Sequence, residues 1–342
     1  MIPKRIVSWM TGLALVAALV AATLFLDWKR AMERPLSFAE SVVYEVRRGA
    51  SIGEVAKDLH AIGVIESPRW LAFHARMTGL AARIKAGEYA FAPGIDAEDL
   101  LAKLVAGEVV QHAFTIVEGW NFRDLRRYLA ADEVLLQTLP GLDDEEIMRR
   151  LDQATMHPEG RFFPDTYHFP KGTADIDVLR RAFETMSDRL ASAWPRRQAD
   201  LPLATLDEAL ILASIVEKET GSPEERAQVA GVFVSRLRLG MRLQSDPTVI
   251  YGIGEDFDGD LRRSDLVRDT PYNTYVRKGL PPTPIAIPGW ASIEATLAPR
   301  EDGSLYFVSR GDGSHVFSTS YRDHRAAVRK YQLQKRRLDE NS

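Results

Sequence analysis

The chain has 342 residues, of which 45% are hydrophobic and 27% charged, and this composition is typical of a folded protein with two or three domains. Its formal net charge of -4, without a dense Lys/Arg block, argues against nucleic acid as a partner. The absence of cysteine excludes a disulfide framework, a thiol nucleophile and a thiolate metal site.

The first element predicted along the chain is a membrane-spanning helix over residues 6–26. This uncharged apolar run of about 21 residues can cross a hydrocarbon core of about 30 Å, at about 1.5 Å per helical residue. Lys4 and Arg5 precede it, so the charge distribution predicts a cytoplasmic tail at residues 1–5 and the bulk of the chain outside the cytoplasm. The alternative is a cleaved signal peptide, whose apolar region usually runs about 7 to 15 residues. The length favours a retained single-pass anchor.

Residues 27–41 are predicted to be a polar linker, after which the chain repeats a short pattern. The repeat is carried by matched pairs at one constant spacing: Tyr44 and Phe114, Gly49 and Gly119, Ser51 and Asn121. Each copy alternates like a strand, turns at Gly, supplies an N-capping residue and continues with apolar residues at helical spacing. The pattern therefore predicts two strand-turn-helix units, one opening a domain at 42–110 and one within a connecting segment at 111–150.

The first copy resembles the opening of a LysM module, in which an aromatic residue and Val on a strand precede Gly, a Ser or Thr cap and a helix. Tyr44, Val46, Gly49 and Ser51 hold those positions in this chain. The resemblance implies that residues 42–110 bind chains of N-acetylglucosamine along a shallow groove. The alternative is a small α+β spacer that holds the rest of the chain away from the membrane.

Residues 151–340 are predicted to form a further domain of mixed helices and strands, which makes the fold class α+β. The domain opens with an aromatic loop in which Phe162, Phe163 and Tyr167 either stack on a ligand or pack the loop itself. Periodicity and turn residues predict the elements that follow. Helices are expected at about 177–194, 206–219, 223–240, 246–252 and from Tyr321, and hairpin strands at 305–309 and 315–319.

Capping boxes are predicted at the starts of two adjacent helices. The residue pairs are Thr205 with Glu208 and Ser222 with Glu225. In such a box the hydroxyl accepts a backbone N–H from the first turn, and the carboxylate accepts the backbone N–H of the capping residue.

The helix predicted from Leu206 ends in a charged segment that contains the candidate catalytic residue. Its middle, residues 209–216, is apolar nearly all round, and Glu217 emerges from that apolar surface. A carboxyl against apolar walls has a raised pKa, which suits a general acid near neutral pH, although a solvated charge is the alternative at a helix end. Glu219 points about 160° to 200° away, and Lys218 and Glu219 are interpreted as orienting or surface groups.

Four motifs stand out in this region: LASIVEKET at 212–220, RLRLGMRLQSDPTVIYG at 236–252, YNTY at 272–275 and GLPP at 279–282. They resemble motifs of the YceG-like endolytic murein transglycosylases. The resemblance is strong from about residue 155 to 335, and weaker but in the same order over the anchor and the LysM-like region. In that family the first Glu of the V-E-K-E-T motif is the catalytic residue, and it corresponds to Glu217.

The chemistry implied by this resemblance is lytic transglycosylation of peptidoglycan glycan strands. Glu217 would protonate the β-1,4 oxygen between N-acetylmuramic acid and N-acetylglucosamine. It would then accept the proton of the muramyl O6 hydroxyl, which leaves a 1,6-anhydromuramyl end. A hydrolytic glycosidase usually needs two carboxyls, and the sequence offers one candidate. A muramidase that cuts the same bond with water, and a non-catalytic glycan-binding scaffold of the envelope, are the alternatives.

The resemblance also implies a location and partners. It indicates cutting within nascent strands during cell-wall assembly, which would terminate glycan strands beside penicillin-binding proteins or other peptidoglycan synthases. The anchor would then lie in the bacterial inner membrane, with a cytoplasmic N-terminus and a periplasmic catalytic domain.

Polar and aromatic residues of the matched motifs are the candidates for substrate binding, because sugars present hydroxyls to polar groups and C–H faces to rings. The candidates are Gln244, Asp246, Tyr272, Asn273, Thr274 and Tyr275. Two of them have alternative roles, since Asp246 is also a candidate helix N-cap and Tyr275 a candidate core residue.

No metal or cofactor site is predicted. The 7 histidines form no H-E-x-x-H pair or similar cluster, and Gly252-Ile-Gly254 lacks the strand and helix that flank a phosphate-binding loop. No G-x-S-x-G elbow of a serine hydrolase is present. The sequence therefore predicts chemistry by one carboxyl without a cofactor.

Overall fold

The computed structural model describes residues 4–333, which form a mixed α+β structure. The helices are α1 (Lys4–Glu33), α2 (Ile52–Ala61), α3 (Pro68–Met77), α4 (Ala97–Ala106), α5 (Phe122–Ala130), α6 (Asp144–Arg150), α7 (Asp175–Ala193), α8 (Leu206–Glu219), α9 (Pro223–Arg238), α10 (Asp246–Ile253), α11 (Arg263–Val267), α12 (Trp290–Leu297) and α13 (Tyr321–Val328). Short 3₁₀ turns lie at Trp194–Arg196 and Gly254–Asp256, and a π turn at Arg329–Leu333.

The strands pair in twos. They are β1 (Val42–Val46), β2 (Gly87–Phe91), β3 (Gln111–Thr115), β4 (Thr166–Pro170), β5 (Tyr306–Ser309) and β6 (His315–Ser318). β1 pairs with β2, β3 with β4, and β5 with β6. The chain forms two compact units: residues up to His112 with His168–Lys171, and Ala113–Tyr167 with the residues from Gly172 onward. The α+β fold class predicted from the sequence is confirmed.

The first unit begins with α1, which is long and apolar enough to cross a membrane over Trp9–Glu33. The helix was predicted to end at Leu26, but it continues to Glu33. Its last turn packs against α3 and α4, and Met32 is 2% exposed in the core of the unit. Residues 27–41 are therefore not a polar linker throughout, because apolar side chains of this segment complete a core.

Both strand-turn-helix predictions are confirmed. In the first copy Ser51 caps α2 in a complete capping box with Glu54. In the second copy Asn121 caps α5 in the same way with Asp124. The turn glycine of the second copy, Gly119, has a φ of 78°, a conformation that favours glycine. The local pattern thus determines these elements, whereas the LysM-like character of the first copy stays a prediction.

The second unit is built around α8, which packs against α9 and α12. Every residue of α8 from Ala209 to Val216 is buried, as the apolar pattern predicts. Because a helix that is apolar all round must be surrounded by other elements, α8 forms the centre of this core. The buried middle and the charged end of the helix fix where its carboxyls emerge.

The two predicted capping boxes are not formed as expected. Thr205 does cap α8, but the carboxylate of Glu208 accepts the backbone N–H of Ala204 rather than that of Thr205. Ser222 makes no side-chain cap at α9, and its hydroxyl instead donates to the Glu224 carboxylate. The backbone N–H of Ser222 donates to the Thr220 hydroxyl, and the Glu225 carboxylate accepts the backbone N–H and the ring of His315 in the hairpin.

Candidate active site

Glu217 lies in the last turn of α8, directly after the buried stretch that ends at Val216. One oxygen of its half-buried carboxylate, Oε2, accepts the Gly289 N–H at 3.0 Å and the Ser292 hydroxyl at 2.6 Å. Gly289 is the N-cap of α12 and Ser292 lies in its first turn, so this oxygen is held at the positive end of a helix. Within the described residues no hydrogen bond engages Oε1. This oxygen is therefore available for proton transfer to a bound molecule.

A second carboxyl, Glu118, lies against the same backbone. A Cβ at Gly289 would overlap the Glu118 carboxyl, so only glycine allows this approach. Burial raises the pKa of Glu118, the negative charge of Glu217 raises it further, and Arg226 opposes the rise. The charge of Glu217 thus acts on the ionisation of Glu118. The sequence analysis missed Glu118 and treated Glu217 as the one candidate.

The turn that carries Glu118 is held by hydrogen bonds to residues that are far away in sequence. Lys218 Nζ donates to the Gly119 carbonyl at 3.2 Å. The backbone N–H of Gly119 donates to Ile287 O at 2.8 Å, and that of Ile287 donates to Trp120 O at 2.6 Å. The turn of the second strand-turn-helix unit is therefore part of the site, and Lys218 has the orienting role that was one of its two interpretations.

Glu219 emerges on another side of the same helix end. Its carboxylate accepts the Ser245 hydroxyl at 2.5 Å. Burial, and then the nearby Asp246, raise the pKa of Glu219 to about 7, against the effect of Ser245 and Arg236. Glu219 is thus a shielded acid at a cleft, which rules out its interpretation as a plain surface charge.

Three of the predicted binding residues line the cleft that contains Glu219. They are Gln244, Asp246 and Tyr275, and aromatic side chains including Tyr306 lie opposite. The Tyr275 hydroxyl donates to the Asp246 carboxylate at 2.5 Å. Asp246 is the first residue of α10 and Ser245 is its N-cap, so the N-cap alternative for Asp246 is wrong. The side chains of this cleft offer both donors and acceptors.

Two other predicted binding residues, Asn273 and Thr274, are buried and hold the loop that leads to Tyr275. Asn273 is fully buried, and its amide donates to the carbonyls of Asp265 and Arg268. Thr274 is 2% exposed, and its hydroxyl accepts the Ser245 N–H at 3.0 Å. Because these polar atoms are already paired, both residues position the cleft rather than face it.

Tyr272 and the aromatic loop also have packing partners. Tyr272 is half-buried, its hydroxyl lies 2.8 Å from the Thr283 hydroxyl, and its ring lies edge-on to another tyrosine. Phe162, Phe163 and Tyr167 are all buried, at 8% exposure or less. Of the two interpretations of that loop, packing is the one that the structure supports.

An open groove borders the other side of the α8 end. It is lined by residues that include Gly119, Asn121, Lys218, Pro247 and Tyr251. Lys218 and Pro247 are direct neighbours in sequence of Glu219 and Asp246, which line the cleft described above. The groove and the cleft are therefore bounded by consecutive residues at the end of α8.

A buried carboxylate, Glu159, supports the start of α5 beneath this groove. It is 3% exposed and accepts the Phe122 N–H at 3.0 Å and the Tyr251 hydroxyl at 2.9 Å. Burial raises its pKa to about 7, although these hydrogen bonds favour the ionised form. Glu159 thus couples the stability of the site to pH.

We expect unfolding measurements to detect this coupling. The folded state binds the Glu159 proton more tightly than the unfolded state, so the stabilisation is present below about pH 4.5 and is lost as pH rises through about 7. Glu159→Gln should therefore reduce the loss of stability between pH 5 and pH 8 by about 2 to 3 kcal/mol. Urea unfolding of the wild type and of Glu159→Gln at pH 5 and pH 8 measures this difference in stability. The exposed substitution Glu184→Gln is the control. If the stability of Glu159→Gln depends on pH as the wild type does, the raised pKa of Glu159 is contradicted.

In the described part of the chain, no group of three or more His, Asp or Glu side chains is arranged to hold a metal ion. The carboxyls are the chemically active groups that the site presents: Glu217 with Glu118 on one side of the helix end, and Glu219 on the other.

Comparison with known proteins identifies the family of the chain. The profile of the YceG-like family matches residues 44–330. The endolytic murein transglycosylase of Bacillus subtilis (strain 168) is 31% identical over 310 residues, which cover 85% of each chain. The protein of that name from Streptococcus pneumoniae serotype 2 is 26% identical over 83% of this chain, and the match spans 57% of its length.

A solved structure extends the likeness to the fold. The crystal structure of a YceG-like protein from Listeria monocytogenes superposes with a TM-score of 0.53 and 28% sequence identity, over 84% of this chain and 99% of that one. Since the family profile covers most of the chain, the protein is a member of the YceG-like family.

Proposed function

We propose that the protein is an endolytic lytic transglycosylase of peptidoglycan, with Glu217 as its catalytic acid and base. The observation that carries the proposal is the geometry of Glu217, whose carboxylate is anchored through one oxygen while the other accepts no hydrogen bond from residues 4–333. The name shared by the relatives from Bacillus subtilis and Streptococcus pneumoniae supports the same activity and substrate.

In the proposed reaction, Glu217 donates its proton to the oxygen that links N-acetylmuramic acid C1 to N-acetylglucosamine. The Gly289 N–H, the Ser292 hydroxyl and the end of α12 stabilise the carboxylate that this step produces. The glycosidic bond breaks, and the muramyl O6 hydroxyl attacks C1 while Glu217 takes its proton. The products are a 1,6-anhydromuramyl end and a free N-acetylglucosamine end, and no water is consumed.

The glycan path that we propose follows the groove and the cleft around the α8 end. Gln244, Asp246 and Tyr275 bind sugar hydroxyls on one side of the cleavage point, because they present polar atoms to the cleft. Tyr272, which is partly exposed, is a candidate for stacking on a sugar face. Asn273 and Thr274 act indirectly, through the loop that they hold.

A second candidate function is a muramidase, and the structure gives a specific reason to test it. Hydrolysis of a glycoside usually needs a second carboxyl beside the acid. Glu118 provides such a group, since it is electrostatically coupled to Glu217. We favour transglycosylation because the relatives from Bacillus subtilis and Streptococcus pneumoniae are named murein transglycosylases.

Mass spectrometry of digested glycan strands distinguishes the two functions. We expect the wild type to release fragments with 1,6-anhydromuramyl ends, and to incorporate no oxygen from ¹⁸O-labelled water. Labelled reducing ends would identify a muramidase. A protein that binds glycan but leaves it intact would instead be a scaffold. The length distribution of the fragments reports whether cutting occurs within strands.

We also propose that α1 anchors the protein in the bacterial inner membrane, with the two compact units in the periplasm beside peptidoglycan synthases such as penicillin-binding proteins. The apolar side chains of α1 support this proposal, since those from Trp9 to Leu26 are mostly exposed. Protease added to spheroplasts is expected to degrade both units. Their protection, or a mature N-terminus that begins after residue 20, would contradict a retained anchor of this orientation.

A further inference from the structure

Helix α3 exposes a stripe of large apolar side chains that no element of the described structure covers. Phe73 is 45% exposed and Met77 is 71% exposed, and the partly exposed Trp70 completes the stripe at helical spacing. The rings of Trp70 and Phe73 meet edge to face at 5.8 Å. The opposite face of α3, which includes Leu71 and Ala75, is buried in the core. Grouped apolar side chains of this kind typically mark an interaction surface.

The stripe lies beside the point where the apolar run of α1 ends. Trp70 Nε1 donates to the Asp27 carboxylate at 2.9 Å, and Asp27 directly follows Leu26. The next turn of α3 remains close to α1, since His74 stacks on Trp28 at 5.7 Å between ring centroids. The stripe is thus at the level of the last apolar residues of α1.

The beginning of α3 lies beside the residues that directly follow α1. Ser67 and Leu71 line a small pocket together with Arg34 and Leu36. Ser67, just before α3, therefore lies beside Arg34 and Leu36, whereas His74 in the second turn lies beside Trp28. This places α3 antiparallel to the end of α1, so that Met77 is at the end of α3 nearest to the apolar run.

The residue composition of α3 indicates which kind of partner the stripe binds. The helix contains Arg69, Arg76 and His74 and no acidic residue. Tryptophan and exposed apolar side chains next to arginines are typical of helices at the boundary between lipid headgroups and acyl chains. A lipid surface therefore matches both the chemistry of the stripe and its position beside the end of α1.

We propose that the stripe Trp70–Phe73–Met77 docks the first unit onto the periplasmic surface of the bilayer in which α1 is anchored. Phe73 and Met77 enter the outer edge of the acyl region, and Arg69 and Arg76 face the headgroups. The contact sets the tilt of the unit relative to the membrane. This inference rests on the proposed anchoring of α1.

The absence of native cysteine permits a direct test with single-cysteine variants of the full chain. Phe73→Cys and Met77→Cys are labelled with an environment-sensitive fluorophore and reconstituted at one copy per nanodisc, which excludes contact between copies. The lipids carry a nitroxide quencher just below the headgroups. Ala92→Cys is the control, because it is exposed near Ile95, whose carbonyl accepts the Leu36 N–H on the side away from the apolar run. Leu15→Cys, near the middle of the apolar run, reports insertion of α1 in nanodiscs whose nitroxide lies at the ends of the acyl chains.

We expect a blue-shifted emission and strong quenching at positions 73 and 77, and neither effect at position 92. Quenching at position 15 without quenching at 73 and 77 would overturn the docking and leave the anchor intact. Loss of quenching at position 15 as well would overturn both. Because Phe73, Met77 and Ala92 are exposed, the three substitutions are expected to leave the fold of the unit unchanged.

Discussion

Replacement of Glu217 by Gln is expected to lower the rate of glycan cleavage by a factor of about 10² to 10⁴, the usual contribution of general acid–base catalysis. Glutamine keeps the size of the side chain, and its carbonyl oxygen can accept from Gly289 and Ser292. It cannot donate and retrieve a proton. The measurement is the initial rate at which anhydromuramyl fragments appear from purified glycan strands.

The matched control for this experiment is Glu184→Gln, an exposed substitution of the same kind on α7. It should retain wild-type activity, and both variants should keep the wild-type melting temperature. Glu219→Gln tests the second acid of the helix end separately, and it should reduce activity far less than Glu217→Gln because Glu219 lies on another side. Full activity of Glu217→Gln would remove this residue from the chemistry.

Replacement of Glu118 by Gln is expected to remove from the pH–rate profile the change that accompanies the ionisation of Glu118. Burial and the negative charge of Glu217 hold the pKa of Glu118 above its usual value, and glutamine cannot ionise. Rates measured from pH 4 to pH 9 for both proteins provide the comparison.

The same variant separates the two candidate reactions. In a transglycosylase, Glu118→Gln should still produce anhydromuramyl ends. If the wild type releases labelled reducing ends and the variant releases none at any pH, Glu118 is the second carboxyl of a hydrolase. An unchanged profile would show that the coupling between Glu118 and Glu217 has no influence on the reaction.

The sequence predicted the elements whose formation depends on neighbouring residues. The helix that ends at Glu219 was predicted with its observed bounds, because apolar residues and the cap at Thr205 are local signals. The two strand-turn-helix units followed from their turn glycines and capping residues in the same way. By contrast, the box predicted at Ser222 does not form: its hydroxyl donates to Glu224, and a distant residue, His315, engages Glu225.

The composition of the site could be predicted only in part. Glu118 is close to Glu217 because backbone pairing of Gly119 and Trp120 with Ile287 brings together segments that are far apart in sequence. The repeat gave no indication of it, since the first copy has Arg48 at the corresponding position. The motif likewise did not indicate which of its polar residues face solvent, because adjacent residues of YNTY differ in burial.

The unbroken passage of α1 into the core of the first unit limits the reach of that unit. Residues 27–33 add about 10 Å of helix beyond Leu26, at about 1.5 Å per residue. A flexible linker would let the unit explore a wide shell of the periplasm, whereas this rigid stem keeps it at a nearly constant height. If α1 spans the membrane as proposed, whatever the unit binds must come to it, and glycan in outer layers of the wall is excluded by distance rather than by chemistry.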